Sequence, residues 1–274
     1  MVEPIFLIKC LYEAQSMKHK SLSKWHRDRL KVRGKAARRN DGAMPHCCIP
    51  GCGRPSQARE GKGFSQFHCR YHVQWNNRHG SYWKGTYRAA ELLPYRKAAE
   101  RYLREHAEDK WITHTLGALD GIMRRSGPVQ SMSDVMVMPP AEKARAALAR
   151  MRAADVPAKR LLVVYLGVSA AVAEDPIGPG GEPGEYRRVQ VAKAAHRLAS
   201  GYHTDYGYER YPRSSGLMLR HLGQQIEKAC EFMREYHLDA VLDLKVAMVG
   251  PLPPGPPPRF PRSRNDRQGA PRGW

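Results

Sequence analysis

Residues 140–173 read PAEKARAALARMRAADVPAKRLLVVYLGVSAAVA. The first half is dense in alanine, leucine, arginine and lysine, strong helix formers, and it starts after Pro139-Pro140, where proline suits a helix's first turn. Asp155-Val-Pro157 breaks the pattern, because proline removes a backbone donor and disfavours helix in the residue before it. From Ala158 to Ala173 the chain is apolar on every side, which predicts the most buried helix of the protein. The apolar run Leu161–Ala173 falls short of the roughly 20 residues that a bilayer-spanning helix needs, so it reads as core and not as a membrane segment. The fold class expected from this stretch is mostly α.

Helical spacing recurs on both sides of it. Pro94 is placed to open a helix, with Ala98, Ala99, Tyr102, Leu103 and His106 following in register, and Ile112, Thr115, Leu116, Leu119, Ile122 and Met123 continue the stripe until Gly127-Pro128 ends it. Beyond a loop at 177–184, IGPGGEPG, residues 185–200 read as a helix with Tyr186, Val189, Ala194 and Leu198 inward and Arg187, Arg188, Lys193 and Arg197 outward. After the turn-rich connection 201–216, Leu219, Leu222, Ile226, Ala229, Cys230, Met233 and Tyr236 mark an amphipathic helix, and 238–249 one more short helix.

The ends differ from this body. Residues 16–40 hold ten Lys or Arg against one Asp, and the 24 residues from Pro251 hold eight prolines and five arginines. With so little to bury, both read as basic, at least partly disordered extensions. The expected organisation is a basic arm over 1–43, a Cys/His module over 44–83, a helical domain over 84–250 with a sub-boundary near 127–139, and the Pro/Arg-rich tail 251–274.

The net charge of +20 and sequence pI near 10.0 make a polyanion the expected partner: nucleic acid, DNA ahead of RNA, and not a membrane. The acid near the start of Met1-Val-Glu-Pro-Ile-Phe-Leu does not suit a secretory leader, so the expected location is cytoplasmic, at the nucleoid if DNA is bound. Oligomeric state is not legible.

Cysteines stand at 10, 47, 48, 52, 69 and 230. Four of them share a window with His46, His68, His72 and His79, which is metal-site and not disulfide spacing. Zinc takes four nitrogen or sulfur ligands in a tetrahedron, supplied here by two short pairs joined by a loop. The first pair lies in Cys47-Cys48-Ile49-Pro50-Gly51-Cys52, where Pro-Gly makes a tight turn; the second is Cys69-Arg70-Tyr71-His72 at the start of a helix. Spacing tolerates either Cys47 or Cys48 as the first ligand. His46, His68 and His79 read as surface or supporting groups. A module this short has no core of its own, and zinc can contribute about 10 kcal/mol or more to folding it.

The string C-x4-C with Gly51 before the second Cys, a Gly-containing loop, then C-x2-H-x2-W-x2-R-H-G resembles a small zinc finger of phage and bacterial proteins, often found beside HNH endonucleases. Cys47, Gly51, Cys52, Cys69, His72, Trp75, Arg78, His79 and Gly80 carry the resemblance, over residues 46–82 only. It implies one structural Zn2+ held by Cys47, Cys52, Cys69 and His72, with Cys48 a neighbour, in a DNA-binding setting. The helix begun at Cys69 would present Arg70, Asn76, Asn77, Arg78 and His79, with Lys62 on the loop and Trp75 against the finger; Arg forks onto phosphate or guanine, and Asn pairs with adenine. Arg187, Arg188, Lys193 and Arg197 would form a second contact surface.

No catalytic residues are assigned. The chain has no Asp-His or His-His dipeptide of the kind an HNH centre needs; GPGGEPG lacks the lysine of a phosphate loop; and His196, His203 and Asp205 are near one another only in sequence. The expected function is a non-enzymatic, zinc-stabilised nucleic-acid-binding regulator or accessory protein of bacterial or phage origin. Its rivals are a divergent HNH-type endonuclease and a zinc-held protein-interaction or structural module.

Overall fold

A computed structural model of the protein describes residues 46–56, 65–174, 182–199 and 214–251. The basic arm, Lys62, His203, Asp205 and all of the tail beyond Pro251 lie outside the described residues. The regular elements among the described residues are helices, and the mostly α class holds. The chain divides into two compact units, Met1–Cys69 and Arg70–Trp274.

In the first unit the backbone around the cysteines is a turn braced by its neighbours. Cys52 N donates to Ile49 O at 3.0 Å, with Gly51 at φ 74°. Proline at the second position and a positive-φ glycine at the third are what a type II turn demands, so Pro50-Gly51 closes the loop as the sequence predicts. Cys47 N donates to Arg54 O and Cys48 N to Phe67 O, both at 2.8 Å, and His46 and Pro55 form an isolated antiparallel bridge.

The second unit begins with α1 (Arg70–His79), followed by α2 (Ala89–Glu105), α3 (Lys110–Arg124), α4 (Met132–Val137), α5 (Pro140–Ala153), α6 (Ala158–Glu174), α7 (Pro183–His196, continued by a 3-10 turn at Arg197–Ala199), α8 (Gly216–Ala229) and α9 (Glu235–Val249). The deciding stretch behaves as read. Pro140 starts α5, Asp155 at φ 49° breaks the chain, and every residue of α6 from Leu161 to Val172 is buried. A helix apolar all round must be wrapped by others. Helices α2, α3, α7 and α9 pack on it, and α2 comes so close that a Cβ on Gly167 would lie 3.3 Å from the Arg96 backbone nitrogen.

Three boundaries differ from the sequence reading. Pro94 lies inside α2 and does not open it, because Arg88 and Glu91 start the helix earlier, with Arg88 N donating to Glu91 Oε2 at 2.6 Å. The stripe from Ala98 to Met123 is interrupted after His106, where Asp109 caps α3 by accepting from Trp111 N at 2.6 Å. Asp is among the best N-caps, and the apolar stripe beyond it is out of phase with the one before it, so a new helix starts there. Likewise Cys230 to Arg234 separates α8 from α9, leaving Tyr236 on a different helix from Leu219.

Much of the unit's basic charge is used inside it. Lys245, 3% exposed, donates to both oxygens of Glu174 and to Gly250 O, and Tyr95 donates to the same carboxylate, tying α2, α6 and α9 together. Arg152 donates to Met123 O and Arg124 O at the end of α3 and to Gly127 O just beyond it, tying that end to α5.

Candidate metal centre

One ligand atom from each of Cys47, Cys52, Cys69 and His72 lies within 4.8 Å of the others. Cys47, Cys69 and His72 are buried and Cys52 half-buried. The Pro50-Gly51 turn returns Cys52 towards Cys47. Cys69 immediately precedes α1, and His72 follows in its first turn, three residues on, the spacing that puts two side chains on one side of a helix. This Cys3His group can hold one metal ion.

The donor set fits zinc. A tetrahedron with Zn–S bonds of about 2.3 Å has an S···S edge of about 3.8 Å, and Cys52 Sγ lies 3.8 Å from Cys69 Sγ. Burial, joined by the neighbouring Cys69 and Cys47 sulfurs, pushes the Cys52 thiol up to about 12. A divalent ion reverses that balance, because its charge stabilises the thiolates that otherwise repel one another.

Of Cys47 and Cys48, it is Cys47 whose sulfur lies with the other three ligand atoms. Cys48 is exposed and points to His68, Sγ to Nε2 at 3.2 Å, while His68 Nδ1 is 3.1 Å from Ser65 Oγ. His68 thus braces the turn beside the group without entering it, and burial lowers its pKa. His46 is exposed.

The cationic and polar residues singled out by sequence have mixed placements. Arg70, Asn77 and Arg78 are exposed on α1 and Asn76 is half-buried. His79 is 8% exposed, stacks on Trp75 at 4.2 Å, and shares a cluster with Thr86 and Lys193. Trp75 itself donates from Nε1 to Lys84 O. On α7, Arg187 and Arg188 each reach a different oxygen of Glu227 at 2.7 Å, and Lys193 Nζ lies 2.7 Å from Thr86 Oγ1 and 2.9 Å from His79 Nδ1. Arg197 is exposed. The structure therefore brings Lys193 and His79 together and holds Arg187 and Arg188 against α8.

Sequence reading missed the partners that make these placements. Thr86, Gln190, Arg220 and Glu227 carry no local signature, since the contacts Thr86–Lys193, Gln190–His79, Arg220–Asn77 and Glu227–Arg188 each span 39 residues or more. Gln190 Nε2 donates to His79 O, while Arg220 donates to Asn76 O and Asn77 O, so the C-terminal carbonyls of α1 are finished by side chains of α7 and α8.

Compared with protein-family models, with curated proteins and with solved structures, the chain matches none. Among the described residues no helix is long and apolar enough to cross a membrane.

Proposed function

We propose that the chain is a zinc-stabilised nucleic-acid-binding protein, without catalysis of its own, that holds duplex DNA through its phosphates. The observation that carries this reading is the pairing of a closed Cys3His group with a net charge of +20. Three thiolates and an imidazole fill a tetrahedral ion, leaving no position for an activated water, so the metal's role is structural. It fixes the start of α1, on which Arg70, Asn77 and Arg78 are exposed. Cations on a rigid element contact phosphate with little loss of side-chain freedom, and the basic arm and tail add sequence-independent contacts.

The test is metal content and retention on duplex DNA over a salt series, for the wild type, Cys69→Ser and Arg70→Glu. One zinc per wild-type chain is expected, with an affinity that falls steeply with salt. Cys69→Ser should lose both zinc and retention, while Arg70→Glu should keep zinc and show a shallower salt slope. Zinc without salt-dependent retention would remove nucleic acid as the partner and leave a module that holds a protein surface. Divalent-metal-dependent nicking would point to a nuclease instead.

A further inference from the structure

We propose that Lys193, gripped by Thr86 and His79 and accompanied by Arg78, binds one phosphate group of the nucleic-acid backbone; this rests on the function proposed above. The amine stands 2.7 Å from Thr86 Oγ1 and 2.9 Å from His79 Nδ1, both neutral acceptors. Thr86 Oγ1 and His79 Nδ1 are themselves 3.1 Å apart, so the hydroxyl and the ring nitrogen form one small polar seat.

Among the described residues the charges that act on this amine are all of its own sign. They are Arg78 from the end of α1, Arg197 one helical turn further along α7, and Arg220 from α8. Arg220 is occupied by Glu185 and by the carbonyls of Asn76 and Asn77, so its charge is answered. Among the described residues Lys193 meets no carboxylate there. Nor does it cap α1: Asn76 O, Asn77 O and His79 O already accept from Gly80 N, Arg220 and Gln190.

A half-buried cation placed among other cations, with only neutral hydrogen-bond partners, is unfavourable in the free protein. Burial first, then those three guanidiniums, pull its pKa down to about 7. The imidazole beside it is held neutral, down to about 3, again by burial and then by Lys193 and Arg78. An anion removes the strain. A phosphate oxygen takes the third ammonium proton, beside Arg78, which is exposed at the end of α1. A backbone phosphodiester stays anionic at any pH where the protein is folded, so the proton that recharges Lys193 must come from solvent.

That proton is the readout. Calorimetric titration of the zinc-loaded full-length protein with a short DNA duplex at pH 8, in buffers of different ionisation heat, should show uptake approaching one proton per site. Lys193→Arg, charged throughout, should bind with that uptake abolished. Lys193→Met should bind about five- to tenfold more weakly at moderate salt, with a log K against log salt slope shallower by about one phosphate contact. Duplex binding without uptake, or an unchanged slope in Lys193→Met, would overturn the proposal while leaving nucleic-acid binding intact. Binding of inorganic phosphate but not of duplex, lost in Lys193→Met, would keep the phosphate seat and overturn nucleic acid as its source. Binding of neither would sink both.

Discussion

Gly216 and Gly117 sit on helices a hundred residues apart, and their surroundings assign them opposite fates on substitution. A Cβ on Gly216 would fall 1.7 Å from Asn77 O, which is backbone and cannot rotate away, whereas a Cβ on Gly117 meets nothing within 4 Å. Gly216→Ala is therefore expected to force α8 away from α1 and to lower stability by about 2 kcal/mol or more. Gly117→Ala is expected to raise it by about 0.5–1 kcal/mol through helix propensity alone. Urea denaturation midpoints of the two variants against wild type check this, and a stable Gly216→Ala protein would refute the close approach. His79 gives the matching prediction in acid. Its folded pKa, about 3, lies below the ordinary 6.5, because burial and then Lys193 and Arg78 oppose its charge. The unfolded chain binds the proton more readily, so the stability contributed by neutral His79 is complete above pH 6.5 and is lost as pH falls towards 3. Acid also strips thiolate-bound metal; the informative quantity is the difference in stability between wild type and His79→Gln, which should shrink over that window.

Helices meet through long-range pairs, and there the sequence was least legible. Glu227 of α8 accepts from Arg187 and Arg188 of α7, both at 2.7 Å. Burial works against its charge, but the two arginine hydrogen bonds outweigh it and hold the carboxyl below its usual range. Its stabilising effect is present above the ordinary glutamate pKa of 4.5 and is lost as pH falls through the folded value. Glu227→Gln should lower stability by about 1–2 kcal/mol at pH 7, discounted for the partial exposure of both arginines, and that difference should vanish in acid. Helix-former composition after Pro140 located α5, an unbroken apolar run located α6, and apolar period located α8. It could not show that α7 is buried on several sides, nor that its arginines are paired, because Glu227 stands 39 and 40 residues away from them. The break at Asp109 was legible and was missed: Tyr102 and Ile112 are separated by about 2.8 turns at 3.6 residues per turn, so the two apolar stripes are out of phase, and Asp109 caps the second helix. The metal group was the most legible part, because four ligand types at short spacing leave few arrangements, and the one ambiguity, Cys47 or Cys48, needed three dimensions.

Across the whole molecule the division of labour between metal and core decides what chelation does. Among the described residues of Met1–Cys69, Ile49 is the one aliphatic side chain that is buried, and the other buried groups there are Cys47, Ser56, His68 and Cys69. One aliphatic group contributes about 2–3 kcal/mol, far less than the conformational entropy of ordering such a segment, and an ion held by the Cys3His group would supply the difference. The helical unit carries its own core, centred on α6, with Leu148, Leu161, Leu162, Leu166, Leu219, Leu222 and Ile226 fully buried. Its basic residues are also partly committed, with Arg152, Arg187, Arg188, Arg220 and Lys245 held on carbonyls or carboxylates. A strong chelator is therefore expected to open the chain to proteolysis between His46 and Cys69, while the far-UV helical signal and its thermal midpoint change little. Limited proteolysis with mass mapping, run beside circular dichroism on one sample, reads both. Loss of most helical signal on chelation would mean that the ion supports the core as well, and unchanged protease resistance would mean that the Cys3His group is not what orders the segment around it.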